Sequence, residues 1–100
     1  MDKLETAFLQ ELTAALAKAK LLGCATTRLE QQFTKYGPAS VMKQLANKGQ
    51  VSDIFDDLAV KKHLELSPEA IAIQGKYGAL FEDAHADHFL AVLLEQGYWK

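Results

Sequence analysis

One cysteine, two prolines and one tryptophan are all that this 100-residue chain has of three structurally distinctive residue types, and its six glycines stand apart from one another. Cys24 alone excludes an intramolecular disulfide and any zinc site built on several cysteines, and it agrees with a reducing compartment. Scattered glycines exclude a glycine-rich phosphate loop. Charge interrupts the apolar positions every few residues, so no run approaches the roughly 20 residues that span a bilayer. The opening "MDKLETAFLQEL" lacks the apolar stretch and small-residue cleavage site of a secretory signal. These absences predict a cytoplasmic protein with no membrane partner. Strand alternation is missing too, and the twice-occurring "KYG" (residues 35–37 and 76–78) continues as "PASVMKQL" and then "ALFEDAHA", which do not match, so no repeat is present.

What remains is a helical pattern. Apolar residues make up 49% of the composition, enough for one core, and the length predicts a single helical domain over residues 1–100. Net charge is only −2, but it is unevenly spread: residues 1–50 carry seven Lys/Arg against four acids, and residues 51–100 carry four Lys against nine acids. Such polarity bears on partners rather than on fold.

Spacings of three and four predict an all-α bundle of five to six helices, with a long N-terminal helix over residues 2–22 and short helices after it. Leu4, Phe8, Leu12, Leu16 and Leu22, with Ala15 and Ala19, form the first stripe, and Leu9 widens it. Asp2 and Glu5 at its start, Lys18 and Lys20 near its end, and Gly23 beyond all suit the macrodipole or a left-handed cap. In "TTRLEQQFTKYG" the Thr27–Glu30 spacing is that of a capping box, with Leu29, Phe33 and Tyr36 inward. Pro38 restarts a helix with Val41, Met42 and Leu45 inward, and Gly49 closes it. Ser52 or Asp53 is the expected cap of "DIFDDLAVKKH", in which Ile54, Phe55 and Leu58 face in; Lys61, Lys62 and His63 lie at its negative end. Ser67 and Pro68 start a short helix with Glu69 in its first turn. Asp83 is the expected cap of the last helix, whose apolar positions are Phe89, Leu90, Leu93 and Leu94 and whose stop is Gly97.

From residue 36 to residue 98 the spine Tyr36-Gly37, Leu45, Ser52, Phe55, Leu58, "LELSPEAIAI", Tyr77, Leu80-Phe81, Leu94 and Gly97-Tyr98 resembles an uncharacterised bacterial family of small helical domains. In that family a Leu-Asp-Leu-Thr-Val-Glu-Ala-Leu-Val segment precedes a Tyr or Phe, a Leu-Phe pair, an acidic helix start and a closing Gly-Tyr. Here Leu64-Glu65-Leu66-Ser67-Pro68-Glu69-Ala70 stands in its place, Gly75 replaces a usual Pro, and the family's Trp near Asp57 is missing. The resemblance implies the helical fold and the capping positions; it carries over no catalytic residue.

The densest chemistry is "FEDAHADHF", residues 81–89. Glu82 and His85 have the Glu-x-x-His spacing of di-iron bundles, and His85 and His88 fall on the same side of a helix, so these three are the candidate metal ligands. A di-iron centre needs that motif on two helices, and zinc needs three or four ligands, whereas the third histidine, His63, is distant. The acids equally suit the positive end of a helix, leaving His85 and His88 unexplained by capping. We therefore expect no metal and no cofactor.

Two further readings concern partners. Residues 27–48 can form a helix-turn-helix with Arg28, Lys35, Lys43 and Lys48 toward phosphates, although Lys43 and Phe33 fall at unsuitable positions and the pI near 5.9 is low for a nucleic-acid binder. No catalytic residue emerges: Cys24 has no histidine near it in sequence, and Asp53, Asp56 and Asp57 fit a helix start. The leading expectation is a non-enzymatic protein-interaction or self-associating domain, an adaptor or accessory protein. Its contacts would be Phe8, Leu9, Leu12, Leu16, Tyr98 and Trp99, with a helix-1-mediated homodimer or another protein as partner. A small nucleic-acid-binding regulator is the alternative.

Overall fold

Helix α1 (Lys3–Leu21) buries Phe8, Leu12, Ala15, Leu16 and Ala19, the three-and-four stripe that its sequence carries. A helix of this length is about 28 Å long at 1.5 Å per residue. That fits within the 33 Å long axis of the fold, so the chain covers the stripe by itself. A computed structural model describes residues 3–98, and these contain helices and turns with no strand. Asp2, assigned above to the helix start, lies outside the described residues, as does Trp99.

After α1 come α2 (Thr27–Tyr36), α3 (Pro38–Asn47), α4 (Phe55–Val60), a 3-10 turn (Leu64–Leu66), α5 (Pro68–Ala72), a second 3-10 turn (Gly75–Leu80) and α6 (Asp83–Glu95). The architecture of the described residues is all-α, as predicted, but with the two 3-10 turns they hold more helical segments than the five to six expected. Helix α1 packs on α2, α3, α5 and both 3-10 turns, so it is the axis of the bundle. Its Phe8 ring stands 4.9 Å from Tyr77 in a tilted contact and 5.7 Å from Phe81 edge to face, and Phe81 lies 5.4 Å from Phe89, again edge to face, a row of aromatic contacts joining α1, the second turn and α6. Fully burying one such ring contributes about 1.5–3 kcal/mol.

Backbone caps set the helix ends. After α6, Gly97 adopts a left-handed φ of 74° and the Tyr98 N–H donates to the Leu93 carbonyl at 3.1 Å, which folds Tyr98 back onto the helix as expected. The same closure ends α4, where the His63 N–H donates to the Leu58 carbonyl at 2.9 Å, but the left-handed residue there is Lys62, with φ 62°. His63 thus closes the helix through its backbone, while its ring lies 3.2 Å from Glu65.

Several caps differ from expectation. Thr26, not Thr27, is the N-cap of α2; Glu30 bridges to Lys20 at 3.1 Å instead of reaching back. Tyr36 is exposed because the stripe of α2 ends at Phe33. Neither Ser52 nor Asp53 caps α4, whose N-cap position is Ile54, since Ser52 is drawn into a long-range bond with Glu69. Asp83 is the first residue of α6 and Glu82 its N-cap. The Ser67 cap of α5 forms as expected, its hydroxyl oxygen accepting from the Ala70 N–H at 3.1 Å. No helix among the described residues is long and apolar enough to cross a membrane.

Candidate functional site

The two histidines that sequence left without a capping role act within the fold. The His85 Nδ1 accepts from the Glu82 N–H at 3.2 Å, the reciprocal arm of a capping box in which histidine replaces the usual Glu or Gln. With Nδ1 accepting, the ring proton sits on Nε2, 3.2 Å from Asn47 Oδ1, so His85 also ties α6 to the end of α3. His88 Nε2 lies 2.8 Å from the Gln50 carbonyl and ties α6 to the loop after α3. Both rings are used as cross-links, and no group of three or more His, Cys, Asp or Glu among the described residues is placed to hold a metal ion.

Residue Glu69 is likewise structural. It is wholly buried, and its carboxylate accepts the Ser52 N–H at 2.6 Å and the Ser52 hydroxyl at 2.8 Å. Burial pushes its pKa up, against the lowering effect of both Ser52 bonds and of His88. On α1, Glu11 receives Gln74 Nε2 at 2.6 Å, the Tyr77 hydroxyl at 2.7 Å and Lys76 Nζ at 2.8 Å. Desolvation opposes its charge, but these donors outweigh it and hold the pKa below the ordinary value. The buried Cys24 thiol is pushed up by desolvation and by Asp57 beside it, the reverse of what a nucleophile requires.

The first helix does not present the apolar interface expected of it. Phe8, Leu12 and Leu16 are at most 1% exposed and belong to the chain's own core; Leu9 is half-buried against it. The bundle wraps this stripe of α1, so Phe8, Leu12 and Leu16 offer no surface to a second molecule. Leu21 at the end of α1, Tyr36 and Val60 are large exposed side chains, and α6 exposes two on one helix face, Leu90 and Leu94, assigned inward by periodicity and 41% and 52% exposed. They are one turn apart, and Ala86 precedes Leu90 by another turn, so the three form a single stripe.

Ala86 and Leu90 of that stripe border a groove of about 590 Å³ between α5 and α6. Ala70 and Ile73 on one side and Ala86 and Leu90 on the other form its apolar walls, and Tyr98 lies at its end. Two alanines where the helices face one another leave space that larger side chains would fill. The polar rim is Gln74 and two acids, Glu65 and Asp87. Burial, then the Glu65 charge, pushes the Tyr98 phenol up in pKa, which marks Glu65 as its close neighbour. Among the described residues of the predicted interface set, Tyr98 is the one that borders this groove. Its sequence signal was the fold-back after Gly97; Leu90 and Leu94 gave none, because an exposed and a buried leucine read alike in a periodic stripe.

The candidate nucleic-acid residues do not converge. Arg28 and Lys48 border one polar cavity of about 210 Å³, where Arg28 Nε lies 3.8 Å from Asp53. Lys43 borders another cavity beside Glu5, and Lys35 lies 5.2 Å over the Tyr36 ring and borders a third. An acid accompanies each of these cavities, Glu30 in the last case.

No known protein-family model, curated protein or solved structure matches the chain. The resemblance to a bacterial helical family accordingly rests on the residues quoted for it.

Proposed function

We propose that this chain is a non-enzymatic protein-interaction domain and that the α5–α6 groove is its binding surface. The observation that carries the reading is the juxtaposition of two apolar walls, Ala70 and Ile73 facing Ala86 and the exposed Leu90. A groove of this form accepts the apolar face of a helix, with anchors at every third or fourth residue. The side chains best suited to chemistry support a non-catalytic role, since His85, His88, Ser52 and Glu69 are each committed to internal hydrogen bonds. Twofold self-association through this groove is disfavoured, because it would bring Glu65 and Asp87 of one copy toward the same acids of another. A cytoplasmic location goes with this reading, on the strength of one buried thiol in the chain.

Fluorescence anisotropy with a panel of labelled amphipathic helical peptides tests it. The expected result is saturable binding of at least one peptide, lost when Ala86→Trp fills the groove while the helical circular dichroism spectrum stays intact. A panel that gives no binding, or binding that Ala86→Trp leaves unchanged, contradicts the assignment.

A further inference from the structure

The rim of the groove says more about its occupant than the apolar walls do. Glu65 lies in the 3-10 turn before α5 and Asp87 on α6, so acids stand on both sides of the apolar walls. Both are exposed and none of the eight residues bordering the groove is Lys or Arg, although Glu65 also lies 3.2 Å from the His63 ring and shares an adjoining cavity with Lys62. The surrounding half of the sequence carries the same sign, with nine acids against four lysines over residues 51–100. An acidic ligand meets repulsion from either side, and a neutral apolar one leaves both carboxylates facing a low-dielectric neighbour. A ligand with cations flanking an apolar stripe satisfies the apolar walls and both rims together.

We infer, on the basis of the groove reading above, that the occupant is a cationic amphipathic helix of a different protein, its apolar stripe on Ala70, Ile73, Ala86 and Leu90 and its Lys or Arg residues against Glu65 and Asp87. The helix would need only two or three turns to lay anchors along the groove. Rim charges of this exposed kind set association rate and partner choice more than ultimate affinity, so the preference weakens as salt rises.

Two designed peptides about 18 residues long, long enough to hold some helix, share one leucine stripe and differ only in whether Lys or Glu flanks it. Anisotropy titrations at low salt are expected to show the Lys peptide binding about tenfold tighter than the Glu peptide, the scale of two rim pairs acting together. The double substitution Glu65→Lys, Asp87→Lys should invert that order, and Ala86→Trp should abolish both interactions. Equal affinities that Ala86→Trp still abolishes would overturn the cationic partner while leaving the groove standing. Binding of either peptide that survives Ala86→Trp, or no binding at all, would overturn the groove as well. Concentration-dependent mass in light scattering that Ala86→Trp removes would make the occupant a second copy and overturn the inference.

Discussion

Ser52 and Glu69, 17 residues apart, are joined by two hydrogen bonds to a single buried carboxylate, one from the Ser52 backbone N–H and one from its hydroxyl. This pair holds the loop before α4 against α5, which forms one wall of the groove. Because burial raises the Glu69 pKa, the folded state binds its proton more tightly than the unfolded state does. The stabilising contribution of this group is therefore complete below the ordinary glutamate range and is lost as pH rises through the raised value. Urea unfolding at a series of pH values should show Glu69→Gln gaining stability relative to the unmodified protein as pH increases across that window. Ser52→Ala removes one of the two donors and should cost about 1–3 kcal/mol at neutral pH.

The Glu11 carboxylate gives the opposite pH dependence. Its three donors hold the pKa below the ordinary range despite partial desolvation, so its contribution is present above the ordinary glutamate value and is lost as pH falls through the lowered one. Tyr77→Phe keeps the buried ring on Phe8 and removes one donor to this carboxylate. We expect a loss of about 1–2 kcal/mol at neutral pH, shrinking toward acid, in the same urea series.

The rings of His85 and His88 should separate by burial. His85 is buried and bonded at both ring nitrogens, whereas His88 is half-buried and has one bond, to the Gln50 carbonyl. His85→Ala is expected to lower stability by about 1–2 kcal/mol through the lost cap and the lost tie to α3. His88→Ala should cost less. Thermal unfolding followed by circular dichroism ranks the two, and added zinc should leave the midpoint of the unmodified protein unchanged.

At the end of α4 a lysine does what glycine does at the end of α6. Lys62 has φ 62°, in the left-handed region that L side chains rarely adopt. Lys62→Gly removes that steric cost but gives the unfolded chain more freedom, so the two effects oppose each other. A net gain of about 0.5 kcal/mol is expected in chemical denaturation, with the helical spectrum unchanged.

Helix positions were readable from local punctuation. Gly23, the Gly37-Pro38 step, Ser67-Pro68 and Gly97 each mark an observed boundary, because caps depend on residues within a turn or two. Lys62 escaped notice since nothing in a lysine signals a left-handed turn. The roles of Glu69 and Glu11 were also hidden: their partners lie 17 and as many as 66 positions away, and only the assembled bundle brings them together. His85 was misread for a subtler reason, as histidine rarely fills the third position of a capping box. The groove depends on which leucines the packing leaves uncovered, and periodicity alone does not decide that. Leu93 is buried while Leu90 and Leu94 are exposed, although all three fall on the apolar pattern of α6.

Amide chemical-shift mapping tests the α5–α6 groove as the binding surface most directly. Titrating the lysine-flanked amphipathic peptide into isotopically labelled protein should move the amide signals of Ala70, Ile73, Ala86, Leu90 and Tyr98 together, with Arg28, Lys35 and Lys48 unaffected. Shifts confined to α2 and α3, or no shift at saturating peptide, would contradict the assignment of the α5–α6 groove as the binding surface.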